Sequence, residues 1–151
     1  MSSTTPTVLA GGAAGPSAGP VVPKLAKRGA RVRDPDQGEA VSKNGAAEVA
    51  VGDLTDRGSM EAALAGVEAV FYIAPAFIPD EAKRAGVRRI VFSSVIDPII
   101  GALENHLGKA PVEEAIIESG MEYAILQPTL FFQNFAGSWP RVVQTGVFAE
   151  P

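Results

Sequence analysis

The sequence lacks cysteine altogether and contains a single histidine among its 151 residues. The absence of cysteine excludes disulfide frameworks, thiolate metal sites and cysteine nucleophiles. With one histidine, a structural zinc site is not expected either. Basic charge is also scarce, because thirteen Lys and Arg are interspersed with seventeen Asp and Glu and the net charge is -4. We therefore predict no metal site and no basic face for nucleic acid.

Long hydrophobic runs are missing as well. The first 23 residues carry no charged side chain, but Gly, Pro, Ser and Thr dominate them, with neither a basic start nor a Leu-rich run. This pattern predicts neither a signal peptide nor a membrane span, so a cytoplasmic location is expected. The length and the 46% hydrophobic content predict one domain over residues 1–151.

A glycine-rich segment near the N-terminus is the most informative feature that is present. Thr7 to Ala10 is β-branched and apolar, residues 11–19 have few side chains, and an apolar segment follows. A strand, a phosphate-binding turn and a helix in this order are typical of nucleotide-binding proteins. A flexible loop between two elements is the alternative interpretation. Because Pro20 and Pro23 do not fit a helix interior, we expect the helix to begin late, at about Pro20.

Apolar runs then alternate with helical patterns along the chain. The predicted strands after the first are 30–33, 48–51, 69–73, 89–92 and 123–126. The predicted helical segments are 21–28, 42–47, 59–66 with Ser59 as its cap, 81–85, 112–120 and part of 130–151. This alternation predicts an α/β fold with a parallel sheet and right-handed crossovers. The patterns also predict that Tyr72 and Tyr123 lie in the core. Phe131, Phe132 and Trp139 are predicted to pack against the sheet, and a wall for a flat aromatic substrate is the alternative.

Small and polar residues recur where the predicted strands end. The strand ends are Gly11-Gly12, Arg33, Gly52-Asp53, Ala74-Pro75, Ser93-Ser94 and Gln127-Pro128. Ligands of parallel sheets bind beyond the carboxyl ends of the strands. These residues therefore lie where a nucleotide is expected.

Five segments in order resemble the NmrA-like group of atypical short-chain dehydrogenases/reductases, which are NAD(P)-binding Rossmann proteins. Gly12 to Ala18 is similar to the family's G-x-x-G-x-x-G/A turn, and the other segments are 51–54, 65–71, 85–94 and 125–128. The resemblance covers nearly the whole chain. It implies a doubly wound, three-layer, Rossmann-like sheet.

The resemblance also implies which residues bind a nicotinamide dinucleotide. The turn residues Gly12, Gly15 and Ala18 correspond to the pyrophosphate site, where a side chain would hold the phosphates away from the amides. Arg33 corresponds to an arginine that pairs with the 2′-phosphate, which favours NADP, with NAD as the alternative. At the adenine end, the resemblance implies that Asp53 accepts a hydrogen bond from the adenine amino group and that Leu54 lies beside the ring. Along the ribose and nicotinamide it implies Ile73, Ala74 and Pro75. Ser93 and Ser94 are assigned to the cofactor site at a strand end, and Gln127 and Pro128 to the far wall of the groove. For Asp53 a helix or turn cap is the alternative, and for Ser93 and Ser94 it is satisfaction of the loop backbone.

Lys109 corresponds to the lysine of the Tyr-x-x-x-Lys dyad found in catalytically typical relatives. In that dyad the ammonium holds the ribose and lowers the pKa of the tyrosine. The tyrosine position is Asn105 here, and an amide does not relay a proton as a phenol does. Lys109 is therefore the one candidate catalytic residue, with cofactor contact or a solvated helix position as alternatives. His106 is expected to be exposed rather than catalytic.

Compared with the family, the chain is short in its second strand and in the segment between Ile73 and Arg89. Residues 129–151 are predicted to begin an incomplete C-terminal substrate region, most of which is missing. The leading hypothesis is an NAD(P)H-dependent oxidoreductase acting on a small, quinone-like acceptor. A non-catalytic protein that senses NAD(P) and regulates a partner is the alternative, and a nonfunctional remnant is a third interpretation.

Overall fold

The computed structural model describes residues 7–12, 19–26, 30–32, 43, 45–50, 56–73, 79–100, 103–129 and 131–148. Six strands of this part form one sheet in the order β3-β2-β1-β4-β5-β6, with every pair parallel. The strands are β1 (Val8–Ala10), β2 (Ala30–Val32), β3 (Glu48–Val49), β4 (Ala69–Tyr72), β5 (Arg89–Ser93) and β6 (Glu122–Leu126). The predicted α/β fold and doubly wound, Rossmann-like sheet are confirmed.

The described helices fall between and after these strands. A short 3₁₀ turn, Gly19–Val21, leads into α1 (Val22–Leu25). The others are α2 (Arg57–Leu64), α3 (Pro79–Arg84), α4 (Glu104–Leu107), α5 (Ala110–Glu118) and α6 (Phe132–Thr145). Because Pro23 occupies the first turn of α1, its missing N–H removes no hydrogen bond from that helix. None of the described helices is long and apolar enough to cross a membrane.

Successive side chains of β4 and β5 point to opposite faces of the sheet, so the core is divided between these two faces. Val70, Tyr72, Ile90 and Phe92 are buried on one face, in a cluster with residues of α2, α3 and α5. Tyr72 and Phe92 stack with their ring centroids 5.7 Å apart.

On the opposite face, Ala10 of β1 packs against Val22 of α1, and both are fully buried. Leu9, the neighbour of Ala10, belongs to the first cluster, as the two-residue period of a strand requires. Helices therefore lie on both faces of the sheet, which gives the predicted three layers.

The cap of α2 differs from the prediction. Asp56, not Ser59, is the N-cap, because its backbone is extended (φ -108°, ψ 107°) and its carboxylate accepts a hydrogen bond from the Gly58 amide at 2.9 Å. Ser59 lies inside the helix, where its hydroxyl donates to the Asp56 carbonyl at 3.1 Å. The cap, and with it the start of the helix, therefore lies three residues earlier than the prediction.

The prediction of core packing is right for Tyr72 and wrong for three other aromatic residues. Tyr123 is 48% exposed, because it lies on β6, the outermost strand at its end of the described sheet. Phe132 and Trp139 are 86% and 60% exposed, because no residue of α6 is buried in this structure.

The Asp56 cap gives a test of the local structure. Asp56→Ala is expected to lower the free energy of unfolding by about 1 kcal/mol, because the Gly58 amide loses its acceptor. Asp56→Asn keeps an acceptor at the same position, so its loss is expected to stay below about 0.5 kcal/mol. Urea denaturation followed by circular dichroism measures both values. Equal losses in the two variants would contradict the assignment of the cap.

Candidate functional site

The carboxyl ends of β1 and β4 meet at the point where the strand order reverses. β2 and β3 extend from one side of β1, whereas β5 and β6 extend from the far side of β4. The Gly11 amide donates to the Phe71 carbonyl at 2.9 Å, so pairing continues to the tips of the two strands. In doubly wound sheets, ligands bind in the crevice at this switch point.

Gly12 lies at this crevice in a conformation that favours glycine. Its φ is +75°, and no atom of the described residues lies within 4 Å of the place where a β-carbon would be. The position therefore combines left-handed backbone with open space, as a turn that lets a ligand approach the main chain needs. Two other residues of the predicted turn, Gly15 and Ala18, lie outside the described residues.

Lys109 reaches the tips of β4 and β5 from the start of α5. Its ammonium donates to the main-chain carbonyl of Ile73, directly after β4, and to that of Ser93, at the end of β5, at 3.4 Å. The structure thus brings together three of the predicted site residues at one edge of the sheet. The lysine occupies the N-cap of α5 and makes no capping hydrogen bond there. A cation is not the residue that a helix N-terminus favours, so helix stability does not account for its presence.

The surroundings of the Lys109 ammonium include an aromatic ring and lower the pKa of this lysine. Its Nζ lies 5.1 Å from the centroid of the buried Phe92 ring, which is within the range of a cation–π contact. Partial burial removes water from the ammonium and lowers the pKa of Lys109 below the usual 10.5.

The serine pair after β5 is buried at the same edge. Ser93 and Ser94 are 7% and 3% exposed, and the Ser94 amide donates to the Leu126 carbonyl of β6 at 2.8 Å. The Ser94 hydroxyl oxygen has no hydrogen-bond partner among the described residues. A buried hydroxyl without a partner is costly, which makes the Ser94 hydroxyl a candidate for contact with a ligand.

Gln127 and Pro128 follow β6 and are fixed by neighbouring elements. The Gln127 side-chain amide donates to both carboxylate oxygens of Glu113 on α5, at 3.0 and 3.1 Å. The Pro128 carbonyl accepts a hydrogen bond from the Ile96 amide at 3.0 Å. Both residues therefore lie beside the loop that follows β5, and their role as the far wall of a cofactor site stays a prediction.

His106 differs from its expected exposure. It is half-buried, and its Nδ1 is buried with no hydrogen-bond partner among the described residues. The His106 carbonyl accepts a hydrogen bond from the Lys109 amide at 2.9 Å, so the histidine belongs to the turn that leads into Lys109. Asn105 lies in α4, and its side chain is outside the described part of the structure.

Several of the predicted site residues lie outside the described residues, so the structure does not place them. These are Gly15, Ala18, Arg33, Asp53, Leu54, Ala74 and Pro75. Within the described residues, no group of three or more His, Asp or Glu side chains is arranged to hold a metal ion.

Sequence reasoning missed two features of this edge. Glu113, which holds Gln127, gave no signal other than its position on the predicted helix. Phe92, whose ring lies below the Lys109 ammonium, was recognised only as a strand residue. The structure shows that its side chain is buried and that its ring faces the lysine.

Comparisons with known proteins agree with this architecture. The chain is 30% identical to the NAD(P)H azoreductase of Xenophilus azovorans over 135 residues, which is 81% of this chain and 46% of the relative. It is 26% identical to quinone oxidoreductase 2 of Escherichia coli K12 over 130 residues, which is 78% of this chain and 44% of the relative. The chain thus spans about half the length of the curated relatives it matches.

A solved structure shares the fold. The crystal structure of an NADPH-dependent quinone oxidoreductase from Escherichia coli superposes with a TM-score of 0.77 at 26% identity, over 93% of this chain and 54% of that chain. The sequence profile of the NmrA-like family matches residues 4–148. Because that match covers almost the whole chain, and the doubly wound sheet carries its candidate site at the expected edge, the protein belongs to the NmrA-like family.

Proposed function

We propose that this chain forms the dinucleotide-binding domain of an NAD(P)H-dependent oxidoreductase located in the cytoplasm. The observation that carries the proposal is the Lys109 ammonium, held at the tips of β4 and β5 beside the switch point. In this proposal residues 1–151 are one binding domain, and residues 129–151 begin the region that contacts the acceptor. The azoreductase and quinone oxidoreductase named above support this reaction class.

The described residues fit a nicotinamide dinucleotide at this edge. Gly12 leaves open space above β1, where the diphosphate would lie. Lys109 offers a cation and Ser94 an unpartnered hydroxyl beyond β4 and β5, where the nicotinamide ribose would lie. These donors match the hydroxyls and oxygens of such a ligand. By the family resemblance, Asp53 and Leu54 would complete the adenine site.

In the proposed mechanism the chain chiefly positions the reactants. The bound dinucleotide supplies a hydride, which is the chemistry of nicotinamide cofactors. Lys109 would hold the ribose, and Ile73 would line the nicotinamide side together with Ala74 and Pro75, which the family resemblance assigns there. The Lys109 ammonium is hydrogen-bonded to the carbonyls of Ile73 and Ser93, so its position is fixed before a ligand binds. Because Asn105 replaces the family's tyrosine, the proton needed by the reduced acceptor comes from another source, such as water.

We infer a small, flat acceptor of the quinone or azo class. Two features support this inference: the names of the relatives, and the exposed apolar residues that follow β5, which include Ile96, Ile99 and Leu103. Apolar surface beside the nicotinamide end of the crevice suits an aromatic acceptor.

Steady-state oxidation of NADPH and NADH with panels of quinones and azo compounds tests the reaction. Turnover above the rate without protein is expected for at least one acceptor. Dinucleotide binding without turnover by any acceptor would reject the enzyme and favour a non-catalytic sensor. If titration calorimetry detects no binding of either dinucleotide, the cofactor assignment is also wrong.

The preference for NADP rests on Arg33, which corresponds to the family's 2′-phosphate site. The Arg33→Ala variant is expected to bind NADPH about tenfold more weakly, because a charge-assisted hydrogen bond contributes about 1.5–3 kcal/mol. Its affinity for NADH, which has no 2′-phosphate, is expected to change less than about twofold. Calorimetric titration with both dinucleotides measures the ratio. Equal losses for NADPH and NADH would contradict a 2′-phosphate contact.

Lys109 provides the sharpest test of the site. Lys109→Met removes the cation but keeps a chain of similar length, and NADPH affinity is expected to fall by about 10- to 100-fold. Lys83→Met is the matched control, because Lys83 is exposed on α3 and lies in the last turn of that helix. The control is expected to bind as the unmodified chain does. Equal effects of the two substitutions would reject a ligand contact at Lys109.

The same lysine predicts a pH dependence of definite sign. Burial lowers the pKa of Lys109, so its ammonium loses a proton at a lower pH than a solvated lysine. Its contribution to binding is therefore present below that lowered pKa and is lost as the pH rises toward 10.5. NADPH affinity of the unmodified chain is expected to fall at alkaline pH, starting at a lower pH than the titration of a solvated lysine would give. The affinity of Lys109→Met is expected to be less dependent on pH, and an identical decline in both proteins would exclude Lys109 as the cause.

A further inference from the structure

Helix α6 exposes an apolar face. None of its residues is buried, although Phe132, Phe135, Trp139 and Val143 recur at the spacing of one helix face. Phe132, Trp139 and Val143 are 86%, 60% and 69% exposed. Between residues 131 and 148 the only charged side chain is Arg141. A helix with this pattern normally buries its apolar face against another surface.

The aromatic residues of α6 are already ordered relative to one another. The rings of Phe132 and Phe135 lie 6.4 Å apart, and those of Phe135 and Phe148 stack at 5.0 Å with an angle of 18°. Gly146 ends the helix in the left-handed region (φ +69°), which turns the chain so that Phe148 reaches Phe135. The exposed face is therefore a preformed aromatic surface, whose side chains have less freedom to lose on contact.

A second apolar surface lies on the sheet. The register aligns Phe71 of β4 with Val91 of β5 and Val91 with Ala124 of β6, so the three side chains are neighbours on one face. Leu126 lies on the same face, two residues further along β6, and is 50% exposed. Phe71 and Val91 are only partly buried, and Ala124 is exposed. The core clusters place α1 over β1 on this face and α2, α3 and α5 on the other face.

We propose that these two surfaces meet between two copies of this chain. In the proposed dimer, α6 of each copy lies on the β4-β5-β6 face of the other. Each chain carries both an α6 face and a sheet face. A two-fold axis therefore forms two identical contacts, as in other isologous dimers. Each copy has a net charge of -4, but α6 contains no carboxylate, and Glu122 at the start of β6 on this sheet face is paired with Arg89 at 2.6 Å.

The available area suits such a dimer. From typical aromatic side-chain areas, the exposed face of α6 with Phe148 offers on the order of 600 Å² of surface for burial. With the sheet side included, two reciprocal contacts remove on the order of 1,500 Å² from water. Stable protein interfaces bury about 1,200–2,000 Å². Central aromatic residues such as Phe132 and Trp139 are the type that contributes most to association.

Trp139 allows a direct test, because it is the only tryptophan of the chain. Analytical ultracentrifugation over a range of concentrations is expected to show a dimer that dissociates on dilution. The fluorescence of Trp139 is expected to shift to longer wavelength over the same concentrations, since dissociation exposes the indole to water. A monomer at every concentration would overturn the proposal, whether its tryptophan is exposed or is buried against its own sheet.

A pair of matched variants tests whether the apolar face of α6 forms the dimer contact. Phe132→Asp is expected to raise the dissociation constant of the dimer by at least about tenfold. Gln133→Asp is the control, because it adds the same charge in the same helical turn at an exposed neighbouring position. It is expected to change the constant by less than about threefold. Equal effects of the two substitutions would contradict a contact through the apolar face of α6.

The sheet side needs its own variant. Ala124→Glu places a charge on the exposed β6 position and is expected to weaken the dimer as Phe132→Asp does. Circular dichroism of each monomer checks that it is folded. A folded Ala124→Glu chain with undiminished dimerisation would overturn the proposal, since α6 would then bind a different surface.

Discussion

The parallel pairing of β1 with β4 is the constraint on which the candidate site depends. Because β1 and β4 run in the same direction, Gly12 and Ile73 leave the sheet at the same edge. The pairing of β4 with β5 and of β5 with β6 adds Ser93 and Gln127 to that edge. Hydrophobic burial of Tyr72, Ile90 and Phe92 stabilises these central strands, so the same core that gives stability also aligns the site.

The sequence was sufficient for the fold because two independent patterns agreed. Strands such as 69–72 and 89–93 are short apolar runs between helices, and their ends carry small or polar residues. The alternation predicted the α/β class, and the family resemblance implied the doubly wound, three-layer sheet. The exact start of a helix was harder to predict, as the choice between Asp56 and Ser59 for the cap of α2 shows. Both are good capping residues, and only the backbone conformation before the helix decides between them.

Sequence reasoning identified only part of the candidate site. Lys109 was identified from its correspondence with a family dyad, but its contacts with the carbonyls of Ile73 and Ser93 arise from tertiary packing. Tyr123 and Trp139 were misjudged for a related reason. An apolar residue in a helix or strand pattern indicates a face suited to burial, but whether another element covers that face is a property of the whole assembly.

Helix α5 contributes both to the core and to the site. Val112 and Ile116 are fully buried beneath the sheet, while Lys109 begins the helix and Glu113 holds Gln127. A shift of this helix by a fraction of an ångström would therefore move the Lys109 ammonium and Gln127 together. Under the proposed function, the size of the side chain at Ile116 is thus constrained during evolution by ligand affinity as well as by packing density. Substitutions there are expected to persist only when a neighbouring residue changes volume in compensation.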